Sequence, residues 1–489
     1  KLDNLDIIIV NPPWEKIRFE ERKFLKSFNS NIADIPKKKN RELAIEELRT
    51  HNKLNYEYYL KVKNDYKESK VYLKKNNYLN YSLSGELNTY SIFYELGINL
   101  LNKKGVIGLF VKSSFVKTPS NQKIFNHILH NNYLESIDLF SNYEKIFPID
   151  TREEFAYVIS SINKNKNFTI RSNLRNIKDF KEVEPIILDQ NDILVMNQQT
   201  SMLPNFNNQS EINFLVKMHK ENNIFHNVFP NVKFGRLVHL TSHSEYISTN
   251  KEDGLPIYEG KFIERYDSMY STFKNISNSD MYKSKANALV QKEFKDVPVS
   301  RYFIDQDFWF KISKNYNDDF TILWRSLTST SNRRTMLATV LPFLPTSQSI
   351  QFLQANSKKE TILILALFNS IIFDYLVRLK MPGIDLTQTV VKSIPVPELH
   401  IFEKIIIFNN EKNTIYNHIQ NRVSWLYRND ERLNKLFEDN SYSCINQKIC
   451  EVELDRLIAL SYGIENDILK KIASNFNLFY DTKELDLFF

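Results

Sequence analysis

Short β-branched runs and helically spaced apolar positions alternate along the first third of the chain. Leu5 to Val10, apolar apart from Asp6, is stopped by Asn11-Pro12-Pro13. Such a run predicts a buried parallel strand ending in a tight loop. Residues 15–80, rich in Lys, Glu, Asn and Tyr at helical spacing, predict a helical insertion whose charge runs are solvated faces. Thr89 to Leu101 then places Ile92, Phe93, Leu96, Leu100 and Leu101 on one helical face, and Lys103-Lys104-Gly105 reads as a turn. Val106 to Val111 is a second buried strand in this reading. A helix over Ser120 to Asn131, a strand over Leu134 to Phe140 and another over Phe155 to Ser160 complete the alternation. The expected class is α/β, with half of an open sheet domain in residues 1–165.

Beyond that point the period changes. Asn- and Ser-rich connections, alternating stretches at Leu237 to Leu240 and Thr335 to Leu341, and turns punctuated by Pro342, Pro345, Pro382, Pro395 and Pro397 predict an α+β domain over 166–400. From Ile401 the pattern is helical again, with Val452, Leu454, Leu457, Ile458 and Leu460 repeating, which predicts a helical tail over 401–489.

Composition narrows the class of protein. With 489 residues, 42% hydrophobic and 25% charged, the chain holds several ordinary cores. A net charge of +7 permits phosphate contacts without requiring them. Two cysteines, Cys444 and Cys450, six apart in a stretch that reads as helical, are taken to exclude a disulfide framework and a four-ligand zinc site. His239 and His243, with Glu245 nearby, lack a third metal ligand and read as a polar loop. No signal-like or bilayer-length apolar run is present, so a cytoplasmic location is expected. Lys1 in place of a start methionine, directly before a strand, points to missing upstream sequence.

The tetrad Asn11-Pro12-Pro13-Trp14 carries the chemistry. The lone pair of adenine N6 is delocalised into the ring and attacks poorly. The Asn11 side-chain carbonyl and the Pro12 backbone carbonyl are placed to accept both amine hydrogens and to stabilise the positive charge that develops on attack. Pro12 and Pro13 stiffen the loop before the base arrives, and Trp14 offers a surface on which an extruded base stacks. On these four residues alone an ordinary turn after a strand is about as good a reading.

Neighbouring segments shift the balance. The tetrad, with Glu86-Leu87-Asn88-Thr89-Tyr90 and the strand ending at Ser113-Ser114-Phe115, resembles the amino-methyltransferases that use an Asn-Pro-Pro-aromatic motif. Lys112 stands where that family often has Pro. Leu255 to Ile263, Trp324-Arg325, Ser331 to Thr335, Ser393 to Pro397, Glu453 to Asp455 and Leu460 to Gly463 resemble a narrower group. These are the bifunctional type IIG restriction-modification enzymes and related BREX-like phage-defence methyltransferases. The resemblance implies the C-terminal half of a Rossmann-like methyltransferase sheet, then a target-recognition domain and a helical tail. It implies S-adenosylmethionine as cofactor, double-stranded DNA as partner, Phe147 as a second ring sandwiching the flipped adenine, and Arg325, Arg333 and Arg334 at the DNA. Core packing for Phe147 and internal ion pairs for the arginines are the competing readings.

The family's glycine-rich cofactor loop has no counterpart among only nine glycines. The chain is therefore expected to be a fragment or a split subunit, with the cofactor half on an upstream domain or chain. No nuclease constellation is found. A catalytically inactive DNA-binding specificity module is the alternative function.

Overall fold

The computed structural model describes residues 5–476 except 37, 198–201, 275, 283–289, 292–296, 318, 382 and 438–440. Pro382 and the end of the expected tail, 477–489, lie outside the described residues. The chain divides into two compact units, Lys1–Asn213 and Phe214–Phe489.

The first unit is built on a six-stranded mixed sheet. In chain order its strands are β1 (Leu5–Val10), β2 (Leu101–Lys112), β3 (Leu134–Ser141), β4 (Glu154–Ser161), β5 (Asn167–Leu174) and β6 (Ile186–Asp189). Their spatial order is β1-β2-β4-β3-β5-β6. β1 runs parallel to β2, and β4 lies antiparallel between β2 and β3. β5 and β6 continue the same sheet past residue 165. The expected helical insertion is present as α1 (Glu21–Lys26), α2 (Ser30–Ala33), α3 (Lys38–His51) and α4 (Lys53–Lys75). It closes a small core of its own around Leu25, Ile45, Leu48 and Tyr59.

Three local expectations are corrected here. β1 is parallel as expected but forms the sheet edge, and it is not buried: Ile7 is 69% and Ile9 74% exposed. Lys103-Lys104-Gly105 is a bulge inside one long strand rather than a turn. Between Leu5↔Leu101 and Ile7↔Val106, β2 advances five positions while β1 advances two. Gly105 is needed there, since a Cβ would come 2.8 Å from the Leu5 carbonyl oxygen. The helix α5 (Thr89–Leu100) buries Tyr90, Ile92, Tyr94, Gly97 and Ile98 and leaves Phe93 and Leu96 exposed. Both stripes have helical spacing. The buried one is selected by Gly97, where a Cβ would sit 2.2 Å from Ile107 Cδ1, so the helix rests directly on β2.

The second unit centres on a four-stranded antiparallel sheet in the order Ala338–Pro342, Phe320–Arg325, Ile350–Gln354, Lys233–Gly235. Leu237 to Leu240 is not a strand; only Val238 makes an isolated bridge, to Ser347. Helix Lys358–Asn369, buried from Thr361 to Asn369, packs between this sheet and helices Ile415–Leu426 and Gln447–Ser461. It forms a bent pair with Ile371–Lys380, and no single helix among the described residues is long and apolar enough to cross a membrane. The tail opens on a hairpin, Ile405–Phe408 with Glu411–Thr414, where helix was expected. Its two turn residues, Asn409 and Asn410, have φ of 51° and 63°. A two-residue hairpin turn needs that left-handed pair, and Asn tolerates it.

Candidate functional site

The tetrad leaves the end of β1 and is pinned at once to the start of α5. The Thr89 hydroxyl donates to the Pro13 carbonyl. Glu15 N donates to Thr89 Oγ1 at 3.1 Å, Thr89 N to the Glu15 carbonyl at 3.0 Å, and Ile17 N to the Leu87 carbonyl at 2.9 Å. Glu86 to Tyr90 is thus the segment that holds the tetrad in place. Asn11 is exposed and Pro12 buried. Among the described residues neither the Asn11 side chain nor the Pro12 carbonyl has a hydrogen-bond partner, so both acceptors stay open while Pro13 is occupied. The segment just ahead of α5 is anchored in turn by the buried Glu95. Its carboxylate accepts the backbone amides of Asn80 (2.6 Å), Tyr81 (3.0 Å) and Ser82 (2.7 Å). β2 ends at Lys112, and Ser114–Lys117 is a helical turn rather than strand.

Trp14 is half-buried, and its indole N–H donates to the Phe110 carbonyl at 3.1 Å, which fixes the plane of the ring. Phe147 meets it edge to face, with centroids 5.4 Å apart and planes at 71°. Phe147 also contacts Phe110 and Phe155. A sandwiched base needs two parallel planes roughly 7 Å apart, two van der Waals separations. The expected Trp14–Phe147 sandwich is therefore absent in this conformation, because the two rings fill the space between them. Sequence reasoning missed Asn142, which shapes the Phe147 loop. Fully buried, its side chain donates to the carbonyls of Phe147 (3.1 Å), Ile149 (3.1 Å) and Asp150 (3.2 Å) and accepts from Phe147 N at 3.0 Å. An Asn in a polar stretch gives no sequence signal of that role.

Trp14 also lines a cavity of about 590 Å³, whose other walls include Phe19, Lys23, Tyr66, Tyr90 and Lys112. Most of its charges are matched. Lys16 lies 2.6 Å from Glu86 and holds that carboxyl below its ordinary range, Arg18 bonds Glu86 and Glu20, and Lys112 pairs with Glu153 at 3.0 Å. Lys23 is exposed and has no ionic partner among the described residues.

The three arginines separate. Arg334 is 3% exposed, with Nε 2.7 Å from Asp374 in an ionic contact of poor hydrogen-bond alignment and Nη2 donating to the Asn369 carbonyl at 2.6 Å. It faces the interior, which corrects its expected place at the DNA. Arg325 is half-buried and spends its guanidinium on the Ile263 carbonyl, 2.9 Å from Nε, and on Glu264 at 3.5 Å. Arg333 is exposed. Its backbone is held from beneath: Arg378 donates to the carbonyls of Asn332 (2.9 Å) and Arg333 (3.0 Å). Glu453 to Asp455 is structural too, since Asp455 and Glu451 bind the buried Arg265 at 3.1 and 2.7 Å. The His239 and His243 rings meet edge to face at 5.7 Å, the His239 amide donates to His243 Nδ1 at 3.3 Å and the His243 amide to the His239 carbonyl at 2.9 Å, which is the bonding of a polar turn.

Residues 59–147 match the family described as Eco57I restriction-modification methylase. Over that span the chain is similar to restriction-modification methylases. That match runs from α4 through α5, β2 and β3 to Phe147, and the tetrad precedes it. No curated protein matches the chain. Among solved structures, the type IIL restriction-modification enzyme MmeI in complex with DNA overlaps 80% of this chain and 53% of its own, at 9% identity and TM-score 0.40. The type IIG restriction endonuclease BpuSI overlaps 100% and 54%, at 11% identity and TM-score 0.29. A nuclease-deletion mutant of the type ISP enzyme LlaGI with a DNA substrate mimic overlaps 86% and 42%, at 10% identity and TM-score 0.35. The chain spans about half the length of the first two.

Proposed function

We propose that this chain supplies the amine pocket and the DNA-recognition part of an adenine-N6 DNA methyltransferase in a restriction-modification or phage-defence system. The observation that carries the reading is the pair of open acceptors, Asn11 Oδ1 and the Pro12 carbonyl, on a loop pinned through Thr89. An exocyclic amine donating to both is drawn toward tetrahedral geometry, and the charge that grows on nitrogen meets two fixed dipoles. Because Thr89 occupies the Pro13 carbonyl, the amine has one register in which to bind. Trp14, its plane set by Phe110, is the stacking surface for the flipped base.

S-adenosylmethionine is the methyl donor in this reading. No residue of this chain is assigned to binding it; its site is assigned to an upstream domain or partner chain. β1 ends the sheet with its outer backbone groups unpaired among the described residues, which supports pairing with a further strand. In the second unit Arg333 is the arginine retained at double-stranded DNA.

The test is transfer of labelled methyl from S-adenosylmethionine to duplex DNA by the full-length protein, beside an Asn11→Ala variant. Loss of one preorganised acceptor is expected to lower kcat by about 10²- to 10³-fold while DNA affinity holds. DNA binding without transfer by the unmodified protein refutes the enzyme and leaves a catalytically inactive specificity module.

A further inference from the structure

We infer that the helical insertion builds the far wall of the target-nucleotide pocket. The extruded nucleotide enters the cavity between Trp14 and helices α1 and α4, its base lying against Trp14 and Tyr66 and its phosphate meeting Lys23. This rests on the methyltransferase reading above and goes beyond it in assigning substrate contacts to the insertion. Three observations carry it. The space between Trp14 and Phe147 is closed, because their rings touch edge to face. Trp14 faces a second space of about 590 Å³, within the ~300–1,000 Å³ typical of small-molecule sites and too small for a duplex. That space is walled by Phe19 and Tyr66, whose rings lie 6.0 Å apart, with the unpaired cation Lys23 beside them.

Flat aromatic walls and one free ammonium are the complement of a base and a phosphate. Asn11 and Pro12 stand three and two positions before Trp14, with Pro13 between, and are not among the residues that line the cavity. In this arrangement a base on Trp14 turns its amine edge toward those acceptors. Phe147 is then packing for Trp14 rather than the second face of a sandwich.

The experiment uses the full-length protein, S-adenosylmethionine and a duplex bearing the methylated site, identified from methyl marks in host DNA. 2-Aminopurine replaces the target adenine in a parallel duplex. Tyr66→Ala is expected to remove most of the fluorescence rise on extrusion and to lower kcat roughly 5- to 150-fold, the loss of one base–aromatic stack. Its duplex dissociation constant should change little, and Tyr66→Phe should restore both signals. Lys23→Gln is expected to weaken DNA binding and flatten its salt dependence. Wild-type behaviour in both Tyr66→Ala and Lys23→Gln, with the loss appearing in Phe147→Ala instead, overturns the inference and leaves the methyltransferase reading standing. If the unmodified protein transfers no methyl group, that reading falls and this inference with it.

Discussion

Arg333 and Arg334 are adjacent in sequence and opposite in environment, so replacing each in turn separates structure from recognition. Asp374 is fully buried between Arg334 (2.7 Å) and Arg378 (3.1 Å), and it accepts the amides of Thr335 (3.0 Å) and Met336 (3.3 Å). Arg334→Ala strips one of its two cations. Breaking a buried ion pair costs about 3–5 kcal/mol. Arg378 and the two amides remain, and Arg265 still donates to the Asn369 carbonyl at 2.8 Å, which places the effect near the lower end, about 3 kcal/mol. For a unit of this size about 1 kcal/mol moves Tm by roughly 2–4 °C, so calorimetry should show a fall of roughly 6–12 °C. DNA affinity of the folded variant should be unchanged. Arg333→Ala should do the reverse, lowering affinity and reducing the salt slope by about one with a smaller fall in Tm than Arg334→Ala. An Arg334→Ala protein that melts like the original but binds DNA tenfold more weakly would refute this assignment.

Asn142→Ala removes the contacts that shape the Phe147 loop. A loss of about 2–4 kcal/mol is expected, with faster proteolysis between residues 142 and 150; unaltered cleavage there would show that the loop holds itself. His219 is buried, with Nε2 3.1 Å from Lys380 Nζ, and burial first, then the neighbouring Lys380, pushes its pKa down to about 2. The folded state thus refuses a proton that the unfolded chain takes up below its ordinary value near 6.5. Stability is full above that pH and falls as the pH drops toward 2, by up to about 1.4 kcal/mol per unit. Urea melts at pH 6.5 and 4.5 should show His219→Gln losing less between the two than the unmodified protein; equal losses contradict the account. Asn410→Val should destabilise the hairpin of the second unit by about 1–2 kcal/mol, and Asn410→Gly should not, as read from denaturation midpoints.

What the sequence disclosed was local in period. Leu5 to Val10, the helical insertion, α5 and the strands at 134 and 155 follow from spacings of two and 3.6 that need no distant partner to be seen. What it hid depended on partners. Phe93, Leu96 and Leu100 make as good a stripe as the buried one, and only Gly97 against Ile107 decides between them. The bulge at Gly105 exists because β1 and β2 pair in a particular register. The tetrad stood out as a candidate because its four residues are consecutive, whereas the edge-to-face packing of Phe147 on Trp14 had to be found in space. Arg334 read as a DNA contact because burial beside Asp374, forty residues on, leaves no mark in its own neighbourhood.

The bare edge of β1 governs how this chain behaves in a tube. Leu5, Ile7 and Ile9 project from one face of a strand whose outer backbone groups have no ladder partner among the described residues. Where no neighbouring strand covers it, such an edge is a template for a second copy of itself, and light scattering that rises with protein concentration before any melting would register that self-pairing. A lysine at Ile7 or Ile9 would discourage that self-pairing, and whether it also blocked assembly with a supplied partner would report which contacts the edge was shaped to make.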